Sequence, residues 1–67
     1  MITVTINGEP RRFDHALRFG ELVETLGLAG KRIAVERNGE IVPRSQFAAR
    51  ELADGDRLEI VVAVGGG

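Results

Sequence analysis

Few side chains of this chain are equipped for chemistry. His15 is the only imidazole among 67 residues, and it stands beside Asp14 with no cysteine anywhere and few hydroxyls nearby. A histidine in that setting reads as a solvated or capping residue rather than as a base or a ligand. The acids Glu21, Glu24, Glu51, Asp54, Asp56 and Glu59 are spread over positions expected to face solvent, which gives no paired-carboxylate acid and base. Gly8, Gly39 and Gly55 stand in isolated turns, outside any phosphate-binding pattern. No metal site and no bound cofactor is expected.

That leaves the end of the chain. Gly65, Gly66 and Gly67 follow directly on the apolar stretch Leu58-Glu59-Ile60-Val61-Val62-Ala63-Val64. Glycine has no side chain to pack and loses the most backbone entropy when ordered. Ordering three such residues costs about 3–6 kcal/mol. A folded domain gains nothing from them there, so the benefit is expected in a partner. Backbone without Cβ atoms threads a narrow slot and brings a final carboxylate close to another protein. Fully extended, three residues reach roughly 10 Å. The division expected is a folded domain over residues 1–64 and a flexible tail over 65–67. Gly65 and Gly66 would lie in a partner's channel.

The length fits one small domain. A hydrophobic fraction of 43% is enough for a core, and without cysteine neither a disulfide nor a thiolate–metal site supports it. A net charge of −1 argues against electrostatic capture by nucleic acid or acidic membranes. Arg11-Arg12, Lys31-Arg32 and Arg44 read as solubilising charge, without the aromatic residues that would stack bases. No apolar run approaches the roughly 20 residues of a membrane span. Met1-Ile2-Thr3-Val4-Thr5 carries no basic leader. The cytoplasm is the expected compartment, and a monomer the expected free state.

The elements that would position the tail follow from periodicity. Ile2 to Ile6 alternates β-branched residues with period two, a strand with Ile2, Val4 and Ile6 inward. Asn7-Gly8 is a tight hairpin turn. The returning strand, Pro10 to Phe13, is an edge because proline lacks an N–H. Phe19, Leu22, Val23 and Leu26 form one helical stripe. The helix stops at Gly27, with Leu28 over its last turn. Its start lies between residues 14 and 19: Asp14 would cap an early start, while Arg18 stands where a cap would serve a late one. Ile33 to Glu36 and Glu40 to Val42 make a second hairpin around Asn38-Gly39, ended by Pro43. Ser45 would cap a short turn of helix that tucks Phe47 and Leu52 beneath it. Asp54-Gly55-Asp56 is a turn, and Leu58 to Val64 is the last strand.

A helix laid across one face of a mixed sheet would bury the apolar faces of these strands. The first and last strands both want the centre, so they would neighbour each other in parallel. The fold expected is α+β, a ubiquitin-like β-grasp with a mixed four- to five-stranded sheet and one main helix. Along the last strand Leu58, Ile60, Val62 and Val64 would face the helix. Val61 and Ala63 would then lie on the open face, an apolar patch suited to partner docking just before the tail.

Against that frame the chain resembles the ubiquitin-like sulfur carriers, most closely the ThiS family of thiamine biosynthesis. The resemblance rests on Glu21-Leu22-Val23 with Leu26, on the segment Ile33-Ala34-Val35-Glu36-Arg37-Asn38-Gly39-Glu40-Ile41-Val42-Pro43-Arg44, on Asp54-Gly55-Asp56 with Leu58-Glu59-Ile60, and on Gly66-Gly67. It covers nearly the whole chain in order. Arg18 departs from the Thr or Ser that such carriers often place before the helix. The resemblance implies a protein co-substrate and not an enzyme. It implies that Gly67 is adenylated by a ubiquitin-activating-type adenylyltransferase that consumes ATP. A sulfur donor, either a cysteine desulfurase or a persulfide relay, would then convert it to a thiocarboxylate. Thiazole synthase would receive the sulfur. Two other readings share the fold: a molybdopterin-synthase small-subunit type of carrier, and a non-covalent β-grasp interaction module, which would have no need of a free glycine carboxylate.

Overall fold

The computed structural model describes residues 1–63. Two hairpins, one helix and a final strand follow one another in the expected order. Strand β1 (Ile2–Ile6) pairs antiparallel with β2 (Glu9–Phe13), and helix α1 (Phe19–Thr25) follows. Strand β3 (Ile33–Arg37) pairs antiparallel with β4 (Glu40–Ile41). A short 3-10 turn spans Arg44–Gln46, and β5 (Arg57–Val62) closes the fold. The sheet order is β2-β1-β5-β3-β4. β5 runs parallel to β1 and antiparallel to β3, so the last strand occupies the middle of the sheet. Among the described residues no helix is long and apolar enough to cross a membrane.

Both hairpins turn on Asn-Gly. Asn7 and Gly8 have φ of 50° and 86°, and Asn38 and Gly39 have 51° and 88°. Two successive positive φ values match the right-handed twist of the flanking strands. β2 is an edge strand, as Pro10 requires.

The helix lies on the face where the strands are apolar. Phe19 and Leu22 are fully buried, in one cluster with Val4, Val35, Leu58 and Ile60. Phe47 and Leu52 are buried in the same cluster, as expected, and Phe47 lies stacked 6.3 Å from Phe19 between ring centroids. The helix ends at Gly27 (φ 74°). Its last carbonyls are taken by Leu28 N–H to Val23 O at 2.9 Å and Gly27 N–H to Glu24 O at 3.0 Å. That pair of bonds is the Schellman arrangement.

The helix start differs from an Asp14 cap. Arg18 is the residue before the helix, and its guanidinium has no lone pair with which to cap an N–H. Backbone carbonyls from a distant segment serve instead. Phe19 N–H donates to Arg50 O at 3.1 Å and Gly20 N–H donates to Phe47 O at 3.0 Å. The Glu21 carboxylate accepts the Arg18 N–H at 2.8 Å, half of a capping box. Ser45 does not cap its turn either. Pro43 takes that place, and the turn is a 3-10 helix.

Leu22 is 0% exposed, so Leu22→Ala removes a side chain that nothing else can replace. The loss expected in urea unfolding is about 2–5 kcal/mol. A loss below about 1 kcal/mol would mean that the helix does not seal this core.

Candidate functional site

The candidate site is the end of β5 and the surfaces beside it. β5 is held from both sides by the two Asn-Gly turns. Asn7 Oδ1 accepts the Ile60 N–H at 2.8 Å, Asn7 Nδ2 donates to Ile60 O at 3.1 Å, and Asn7 N–H donates to Leu58 O at 3.0 Å. The Asn7 amide thus stands in for one more residue of β1, which ends at Ile6. From the opposite side Asn38 N–H donates to Arg57 O at 2.7 Å, and Asn38 Oδ1 accepts the Arg57 N–H at 2.9 Å. Asn38 Nδ2 donates to Asp56 Oδ1 at 3.3 Å.

Asp56 corrects an expectation. It is not at the surface but 5% exposed, just before β5. Its Oδ2 accepts the Ala53 N–H at 2.8 Å and pairs with Arg37 Nε at 3.1 Å. A buried carboxylate needs such partners, because an unpaired one carries a desolvation penalty. Asp54 takes a similar part, its Oδ1 accepting the Thr3 N–H at 2.8 Å. Both acids tie turns to neighbouring strands or loops. His15 is exposed. Among the described residues no group of His, Cys, Asp or Glu is arranged to hold a metal ion.

Val61 and Ala63 are exposed, on the face away from the helix. Val61 is 62% exposed and lies directly opposite Ala34 of β3, itself exposed. Ile41 of β4, 64% exposed, extends the apolar surface. Ala63 N–H donates to Arg32 O at 2.9 Å, so chain pairing continues to the last described residue. Val62 departs from expectation. It stands on the helix side but is 37% exposed, because β5 runs on past the end of β1. There it lines an open groove with Ile6, Ile60, Leu26 and Leu28. Gly65, Gly66 and Gly67, with the expected domain boundary after Val64, lie outside the described residues.

A helix across a five-stranded mixed sheet, with first and last strands parallel at its centre, is the ubiquitin-like β-grasp. The comparisons carry this further. The sequence matches the ThiS family over residues 4–67, and the chain belongs to that family. A relative in Bacillus subtilis, "Sulfur carrier protein ThiS", is 43% identical over 47 residues, covering 70% of this chain and 71% of that protein. A relative in Paramagnetospirillum magneticum named "Thiazole synthase" is 47% identical over 64 residues, 96% of this chain. The chain spans only 20% of that relative's length. The crystal structure of a thiamine biosynthesis protein (ThiS) from Geobacter metallireducens superposes with a TM-score of 0.82 at 36% identity, covering 98% of this chain and 100% of that one.

Sequence reasoning placed Asn7 and Asn38 in turns but missed their grip on β5. The signal available was the pair of Asn-Gly dipeptides, since asparagine tolerates the left-handed region and carries both a donor and an acceptor. Asn7→Gly preserves the turn and removes the amide. It should cost about 1–3 kcal/mol, and exchange of the Ile60 amide hydrogen should accelerate. Unchanged Ile60 exchange would show that the side-chain clamp contributes nothing.

Proposed function

We propose that this chain is a sulfur carrier of thiamine biosynthesis, acting in the cytoplasm as a protein co-substrate with no catalysis of its own. The family match carries this reading, because it runs through the glycine end to residue 67. The "Sulfur carrier protein ThiS" relative supports the cargo, and the thiazole synthase relatives support the destination. The shape supports it as well. A central strand pinned by two turns leads to Ala63, and Val64-Gly65-Gly66-Gly67 follows it in sequence.

The chemistry begins with the Gly67 carboxylate. A carboxylate is a poor electrophile, so it must first be activated. Its oxygen attacks the α-phosphate of ATP on an adenylyltransferase of the ubiquitin-activating type, and pyrophosphate leaves. The resulting mixed anhydride with AMP is a good electrophile. The terminal sulfur of a donor's persulfide attacks the carbonyl carbon, and AMP departs. A thiol then reduces the acyl disulfide and releases the thiocarboxylate. Thiazole synthase takes the sulfur from it, and the carboxylate returns for another round. The absence of cysteine suits this role, since no side chain competes for the sulfur. Gly65 and Gly66 serve as bare backbone in the partners' channels, and Val61 and Ala63 as part of the docking surface.

Gly66→Val should leave folding unchanged and severely slow adenylation, because a branched side chain jams a slot shaped for backbone. An added terminal alanine should block activation, because it displaces the carboxylate by about 3.5 Å, far more than reacting groups tolerate. The assays are pyrophosphate exchange with the host's activating enzyme and intact mass, read for sulfur in place of one oxygen. Equal adenylation and sulfuration of the unprocessed alanine-extended chain would overturn the reading. Val61→Asp should change fold stability by no more than about 0.5 kcal/mol while weakening association with both enzymes. A normal activation rate in that variant would make Val61 ordinary surface.

A further inference from the structure

The open face of the sheet sets two carboxylates side by side. β3 and β5 are in register with Glu36 directly opposite Glu59. Both are exposed and both lie on the face away from the helix. Directly opposed residues of an antiparallel pair have Cβ atoms about 4.5–5.5 Å apart, and like charges there repel. Among the described residues neither carboxylate is in a salt bridge. The one salt bridge among the described residues is Arg37 to Asp56, with the Arg37 guanidinium on the helix side, 5.9 Å over the Phe19 ring. Arg57 stands two positions before Glu59 on the same face and is within ion-pair distance of neither carboxylate. Glu36, Glu59 and Arg57 line an open depression together with Thr5, Asn38 and Gly39.

This pair does not stand alone. Two residue pairs further along the same two strands, and next on the same face, Ala34 faces Val61, and on β4 the exposed Ile41 lies directly opposite Glu36. This part of the face is therefore a small apolar area beside two directly opposed carboxylates that share no salt bridge among the described residues. A surface of that kind is complementary to an apolar surface with a single projecting cation. Guanidinium suits the position better than ammonium, because its planar fork donates to two carboxylates at once and it is more weakly hydrated.

We propose that Glu36 and Glu59 form a two-carboxylate clasp for an arginine on the thiazole synthase surface, seated while Val61 and Ala34 meet apolar side chains around it. This rests on the sulfur-carrier reading and names the chemistry of one of its docking surfaces. The synthase is chosen over the activating enzyme because, in relatives named thiazole synthase, a segment 47% or 36% identical to this sequence makes up 20% of the chain. In them this unit and the rest of the synthase chain are never apart. Binding of the cation removes the repulsion that the free sheet carries, so the clasp favours the complex by strain relief as well as by contact.

The test uses the full chain and the thiazole synthase of the same organism, with Glu36→Gln and Glu59→Gln. Each variant should raise the melting midpoint by about 1–5 °C, as relief of a like-charge pair predicts. Each should also weaken synthase binding in calorimetry by about tenfold or more, and the loss should shrink in high salt. Stabilised variants with unchanged synthase affinity would overturn the clasp, leaving a tolerated surface repulsion. Affinity lost only for the activating enzyme would overturn the choice of occupant. Absence of any wild-type binding to the synthase would overturn it too. Thiocarboxylation of the wild type, followed by mass, is read separately. Its absence sinks the carrier reading, while its presence beside unaltered variant binding sinks the clasp alone.

Discussion

The placement of β5 is the constraint on which everything else depends. It is the last element in sequence and the middle strand in space, so the fold is complete only when the chain's final stretch is inserted between β1 and β3. Its ladder with β1 is short, covering Thr5 with Arg57 and Ile6 with Leu58. Side-chain amides from the two turns extend that grip. Asn7 holds Ile60 from one side and Asn38 holds Arg57 from the other. These bonds cross long sequence separations, and the closure entropy of such contacts is offset only once the core beneath them has formed. β5, which leads toward the glycine run, is therefore held by backbone ladders, side-chain amides and core packing together.

That anchoring has a functional consequence. Under the sulfur-carrier proposal, a partner engaging the residues after Ala63 would pull on β5, and the pull would be met by the β3 ladder, the Asn7 amide and the buried Leu58 and Ile60. β5 also outruns its β1 neighbour. Beyond Ile60 it presents an apolar side chain to each face, Val61 toward the open side and Val62 toward the groove at the helix end. Under the same proposal, enzymes that handle the end of the chain would meet an apolar side chain on both faces of one strand.

The acidic residues show how little a charge pattern says about role until the chain is folded. Glu21 supports the helix entry, Asp54 ties Thr3, and Asp56 is buried against Arg37 and Asn38. Glu36 and Glu59 alone are set directly opposite each other on an open face. The first three satisfy backbone or side-chain donors within the fold. The last pair forms no salt bridge among the described residues.

Local sterics and periodicity made much of this legible in the sequence. The alternation of Ile2 to Ile6 reports a strand buried on one face. Asn7-Gly8 and Asn38-Gly39 report turns that need positive φ, and Gly27 reports where the helix must stop. Each signal depends on neighbours within a few residues, so no knowledge of the fold was needed. The glycine run and the segment from Ile33 to Arg44 pointed in the same way to the family. Tertiary structure decided the rest. The helix begins at Phe19 because carbonyls of Phe47 and Arg50 arrive to take its first N–H groups, and nothing near Arg18 in sequence announces them. Asp56 is buried because Arg37 and Asn38 come to it from another hairpin. Val62 is half-exposed because β1 ends before β5 does, a matter of register between strands that lie at opposite ends of the chain.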